Sequence, residues 1–315
     1  MSAIRDALVE YVAVRRVLGT KFYEPALALD HFVDFLEREG AEYITTDLAL
    51  RWAMAPKLVQ RATWGRRFGH VRGFAAWLSA IDVRTEIPPK HLLDARRRRN
   101  TPHIYTEQEI DLLIAQAQHL HSRTGLRALT YTTLIGLLVA TGLRPGEALA
   151  LNRSDVDLVS GILSIRETKF GKSRFVPVEE STRMALLRYA RARDEICSVR
   201  LTEAFLIGEL GRRLTGSAAR DTFVKMSRAI GLRETPEDNR HGFGPRLQDF
   251  RHSFATGRLV EWYRDGLDVA RELPKLATYL GHVDVALTYW YIEAVPELLQ
   301  LAVNYLGAHR SGEGA

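Results

Sequence analysis

The chain has 315 residues, 46% hydrophobic and 26% charged, the balance of a globular protein long enough for two domains. Its single cysteine, Cys197, excludes a disulfide framework and a cysteine-cluster metal site, so a reducing, cytoplasmic setting is expected. Lys and Arg number 44 against 38 Asp and Glu, and the formal charge of +6 suits a polyanionic partner without requiring one. No apolar run approaches a membrane span, and the charges spread through Met1 to Gly19 leave no signal-peptide apolar region.

Residues 1–93 read as a helical domain. Ile4 to Leu18 and Pro25 to Glu39 repeat apolar side chains at helical spacing, the second with proline at a helix start. From Ala62 to Ile81, a stripe of Trp64, Phe68, Val71, Phe74, Ala75 and Leu78 recurs at the same spacing. Arg61, Arg66, Arg67, His70 and Arg72 lie largely off that stripe, on a face suited to DNA phosphates or simply to water. Residues 94–105 then read as a linker, in which Arg96, Arg97, Arg98 and Arg99 stand between proline sites and would be drawn to a phosphate backbone.

A second domain, 106–315, opens on the capping-box pattern Thr106-Glu-Gln-Glu109 and continues helically through Leu151. The alternation in Ile162-Leu-Ser-Ile165 and Arg174-Phe-Val-Pro-Val178, around a polar turn with Lys169 and Lys172, predicts a β-hairpin. Helical patterns resume from Ser181 to the C-terminus, so the fold class is mainly α with a small β-sheet.

Four separated segments carry chemistry. Thr141-Gly-Leu-Arg-Pro-Gly-Glu147 sets Arg144 after a glycine break, with Glu147 one helical turn on. The hairpin supplies Lys169 and Lys172, and the helix Gln248-Asp-Phe-Arg-His-Ser-Phe-Ala255 supplies Gln248, Arg251 and His252. Leu280-Gly-His282 is followed by Tyr291. Each has an ordinary reading alone: a surface arginine, a solvated turn lysine, a helix cap with an incidental histidine, a packed aromatic.

In this order and spacing the segments resemble the tyrosine recombinase (phage integrase) family along the whole chain. The resemblance implies a helical core-binding domain and a catalytic domain that close as a C-shaped clamp on double-stranded DNA. Carried over by position, Arg144 and Arg251 are the two phosphate-binding arginines, Lys169 the hairpin lysine, His282 the late phosphate-contacting histidine and Tyr291 the nucleophile. Glu147 matches the acidic residue that accompanies the first arginine. Lys169 is preferred to Lys172 because the family's lysine leads the turn, and Tyr291 to Tyr289 because of the spacing from Leu-Gly-His. Lys172 and Arg174 are expected to contact DNA.

The chemistry suits these residue types. Attack on a phosphodiester builds charge on oxygens that two guanidiniums clamp in fixed geometry. A tyrosine, with a pKa of about 10, needs a base or a cationic site to attack. The family's product is a 3′-phosphotyrosine and a free 5′-hydroxyl, protonated by the hairpin lysine, and rejoining needs no metal, cofactor or ATP. The family implies a homotetramer on paired recombination sites, other recombinases as further partners, and location at the nucleoid. A mobile-element role, integration or transposition, is the preferred setting. The tail Glu297 to Leu306, apolar at helical spacing, would dock on a neighbouring protomer or on its own domain.

One position departs from the pattern. The family has histidine three residues before its second arginine, where this chain has Gln248. Glutamine donates a hydrogen bond but takes up no proton at neutral pH. His252 faces about 100° away from its neighbour on a helix and matches a different family position. A DNA-binding accessory recombinase with impaired cleavage is therefore one alternative, and a type IB topoisomerase-like enzyme another.

Overall fold

The computed structural model describes residues 2–57, 59–93, 101–166, 173–234 and 244–282. Arg96, Arg97, Arg98 and Arg99 of the basic stretch, Lys169 and Lys172, Tyr289, Tyr291 and the tail from Glu297 lie outside the described residues. The chain divides into two compact units, Met1–Asn100 and Thr101–Ala315.

The first unit is four helices: α1 (Ala3–Val17), α2 (Tyr23–Arg38), α3 (Thr46–Met54) and α4 (Arg61–Leu78). Ser2 and Thr45 cap α1 and α3 by accepting the backbone N–H groups of Arg5 and Leu48, each at 3.3 Å. The apolar stripe expected along α4 is buried: Phe68, Val71, Phe74, Ala75 and Leu78 pack with Leu29, Phe32, Val33 and Leu36 of α2. Arg67, expected on the basic face, turns into the unit instead. Its guanidinium lies 3.6 Å from the Trp52 ring centroid and donates to the Trp52 carbonyl at 2.9 Å. Arg61 and Arg66 are exposed, Arg66 paired with Glu24 at 2.8 Å, and Arg72 is half-buried.

The second unit contains α5 (Glu107–Gln118), α6 (Leu126–Thr141), α7 (Pro145–Ala150), a three-stranded sheet, α8 (Glu180–Ile196), α9 (Gly216–Ala229), α10 (Asp249–Arg264) and α11 (Val269–Leu280). The capping box at Thr106 forms with both its hydrogen bonds, 2.9 and 3.2 Å. Helix α6 is apolar nearly all round, as a central helix must be, and Leu126, Leu134, Ile135 and Leu138 are fully buried. The sheet is antiparallel in the order β1 (Val156–Asp157), β2 (Ile162–Ile165), β3 (Arg174–Pro177). Leu163 pairs with Val176 and Ile165 with Arg174. The two hairpin strands were legible as alternation, whereas the two-residue β1 is too short to show a period.

The helical pattern expected to run on from Ser181 is interrupted. After α8 the chain forms two isolated bridges, Asn152 with Ala204 and Ile207 with Arg213, before α9. Gly211 takes a φ of +69° in the turn that closes the second bridge, a conformation outside the helical region.

Candidate active site

The end of α6 fixes the first part of the site. The helix stops at Gly142 with φ +59°, and a Cβ there would lie 2.5 Å from the Phe254 ring, so only glycine fits. The chain runs on through the buried Leu143 to Arg144, and Pro145 restarts it at the first position of α7 with Arg144 as its N-cap. Glu147, three residues on, reaches back. Its carboxylate accepts the Arg144 backbone N–H at 3.1 Å and Arg144 Nη1 at 2.7 Å.

A second guanidinium binds the same carboxylate. Arg174, the first residue of β3, donates Nη2 to Glu147 Oε2 at 2.8 Å and Nη1 to Oε1 at 3.3 Å. Its Nε donates to the Tyr279 carbonyl near the end of α11 at 2.8 Å. Burial by itself would raise the Glu147 carboxyl, but the hydrogen bonds and charges of Arg174 and Arg144 bring it below its ordinary value. Arg174, expected on sequence grounds at a DNA-contacting position, is thus built into the site, with its side chain 11% exposed.

Arg251 comes from the first turn of α10 and is 2% exposed. It donates Nη1 to the Gly142 carbonyl at 3.0 Å and Nη2 to the Leu280 carbonyl at 2.6 Å. Those carbonyls end α6 and α11, where unsatisfied acceptors and the helix dipoles both favour a cation. A buried arginine is therefore satisfied by the two helix ends that frame the site.

His282 follows Gly281, whose left-handed φ of +70° ends α11 and returns the His282 N–H to the Ala277 carbonyl at 2.9 Å. Burial, joined by the charges of Arg251, Arg144 and Arg174 and opposed by Glu147, pushes the imidazole down to about 4. His282 is therefore neutral at pH 7 and carries one N–H donor. Glu147 joins Arg144 to Arg174, and Arg251 bonds the carbonyls two residues before Arg144 and two before His282, so these five residues converge from four elements.

Gln248 is half-buried one turn before Arg251, and its backbone carbonyl accepts the Arg251 N–H at 3.2 Å. His252 is half-buried and pushed down to about 4 by burial, with Arg246 and Arg251 acting in the same sense and Asp249 against it. Sequence reasoning missed the bridging role of Arg174 and the carbonyls of Gly142 and Leu280. The carbonyls leave no side-chain signature, although the glycines beside them do.

The phage integrase family matches this chain over residues 104–297. A protein of Sinorhizobium fredii named as an integrase/recombinase, y4rB, is 44% identical over 310 residues, 97% of this chain and 98% of the relative. The tyrosine recombinase XerD of Oceanobacillus iheyensis is 28% identical over 232 residues, 73% of this chain and 70% of its own. Among solved structures, the Tn1549 transposon integrase in complex with transposon right end DNA shares the fold. Its TM-score is 0.63 at 16% identity, covering 92% of this chain and 94% of that one. The chain belongs to the phage integrase family of tyrosine recombinases. Site-specific DNA recombination is the activity this membership supports.

Proposed function

We propose that this protein cuts and rejoins duplex DNA by transesterification through a 3′-phosphotyrosine on Tyr291, in the service of a mobile genetic element. The carrying observation is the convergence of Arg144, Arg251 and His282 from three separate elements. Two guanidiniums and a neutral imidazole N–H form a donor set fitted to the nonbridging oxygens of a phosphodiester. Because helix ends and a buried carboxylate already hold them, little reorganisation accompanies the growth of charge in the transition state.

In the proposed step the Tyr291 phenolic oxygen attacks phosphorus, the P–O5′ bond breaks, and its electron pair leaves on the 5′ oxygen. Lys169 supplies the proton that makes the 5′-hydroxyl. Glutamine at position 248 takes no proton, so the phenol proton passes to water, its loss favoured by the cationic field of Arg144 and Arg251. Rejoining runs the same exchange backwards, with the 5′ oxygen as nucleophile and Tyr291 as leaving group. The number of bonds is conserved, so neither ATP nor a metal is required.

Duplex DNA with paired recombination sites is the proposed partner, engaged by Arg61, Arg66 and Arg72 and by the basic stretch from Arg96 to Arg99. The transposon integrase that shares the fold was solved on transposon end DNA, which supports that partner. A tetramer on two duplexes, working at the nucleoid, is the proposed assembly. Gln248 favours one other reading, an accessory recombinase that binds the site and leaves cutting to a partner. The two are separated with nicked duplexes drawn from a randomised library and selected for SDS-resistant protein–DNA adducts. Recovery of adduct with the native chain and its loss in Tyr291→Phe support cleavage. Sequence-selective binding with no adduct from the native chain supports the accessory role.

A further inference from the structure

We propose that Arg174 is a positioning residue for strand cleavage: it holds Glu147 so that Arg144 stays aimed, and it ties strand β3 to the turn that presents His282. The proposal rests on the cleavage reading above and gives a task to a residue that reading does not use.

Three contacts of one guanidinium carry it. Nη2 and Nη1 meet the two oxygens of Glu147 at 2.8 and 3.3 Å, Nε meets the Tyr279 carbonyl at 2.8 Å, and Nη1 lies 2.7 Å from where a Cβ on Gly281 would stand. Strand β3, α7 and the end of α11 are thereby joined at a single side chain. With Arg144 contributing its backbone N–H and Nη1, the Glu147 carboxylate accepts four hydrogen bonds, the full capacity of its two oxygens. A carboxylate so filled cannot swing, and Arg144 is held with it.

Charge points the same way. Glu147 alone would neutralise Arg144, whereas two guanidiniums and one carboxylate leave one net positive charge to face an anionic phosphate. A lysine at position 174 would restore the charge but not the fork that spans two oxygens and a carbonyl. All three guanidinium nitrogens of Arg174 are engaged within the protein, so its hydrogen bonds serve Glu147 and the end of α11.

The test measures single-turnover adduct formation at saturating protein, together with DNA affinity, for Arg174→Lys, Arg174→Gln, Glu147→Gln and the double variant Glu147→Gln/Arg174→Gln. Misaiming a reacting group by about 1 Å costs on the order of a hundredfold in rate. The expected result is a loss of about tenfold or more for Arg174→Lys and about a hundredfold for Arg174→Gln. Affinity should stay within about twofold, and the double variant should be no slower than its slower parent. Arg174→Lys at the native rate overturns the proposal, as do parallel losses of rate and affinity or losses that multiply in the double variant. Failure of Arg174→Lys to fold also overturns it, by showing a purely structural role. A native chain that forms no adduct counts against the cleavage reading instead.

Discussion

Gly281 shows how little room single residues have in this site. Its φ of +70° is one that a side chain resists, and any Cβ would press on the Arg174 guanidinium. Gly281→Ala should therefore cost about 1–3 kcal/mol in a denaturant melt and lower the adduct yield. Gly146→Ala, whose Cβ would meet nothing within 4 Å, should leave stability within about 1 kcal/mol of the native chain. The histidines give a second prediction at this scale. His252 and His282 bind protons only near pH 4 when folded, against 6.5 for the ordinary side chain. Between those values the unfolded chain holds more protons than the folded one, so stability falls as the pH falls from 6.5 towards 4. The expected loss is roughly 1–2 kcal/mol per histidine by pH 5, and His252→Gln should flatten that slope in urea melts at pH 7 and pH 5. Arg144, Glu147, Arg251 and His282 could be named from sequence because their segments keep a recognisable order. Arg174 could not be placed that way: it stands 27 residues from Glu147, and only the sheet brings them together.

At the scale of elements, helix ends organise the site. The carboxyl ends of α6 and α11 supply the carbonyls that hold Arg251, and the start of α7 supplies the cap that holds Arg144. Helix α10 must stay in register for this to work, and Tyr105 secures it from outside. Its backbone N–H donates to Ser253 Oγ at 2.8 Å, its hydroxyl to the Arg246 carbonyl at 3.1 Å, and its ring stacks on Phe250 at 4.3 Å. Tyr105→Ala removes a buried aromatic and should destabilise the chain by about 3–5 kcal/mol. Tyr105→Phe keeps the stack and should cost about 0.5–1.5 kcal/mol. Equal losses for the two variants would show that the hydroxyl rather than the ring holds α10. The helices and the hairpin were legible because their periods of 3.6 and 2 persist over several residues. Strand β1 and the bridges after α8 were not, because their partners lie far along the chain and too few residues take part to leave a period.

At the scale of the molecule, each unit has its own hydrophobic core, one built on α2 and α4 and the other on α6. The net charge of +6 set a tolerance for polyanions, but the order of the four segments, the convergence of Arg144, Arg251 and His282 and the family match make the case for DNA. The proposed function turns on a bond between Tyr291 and DNA, which mass spectrometry of the trapped adduct detects. After proteolysis and nuclease digestion, the expected product is a nucleoside joined through its 3′ phosphate to Tyr291, absent from Tyr291→Phe. A modified Tyr289, or an adduct that persists in Tyr291→Phe, would contradict it.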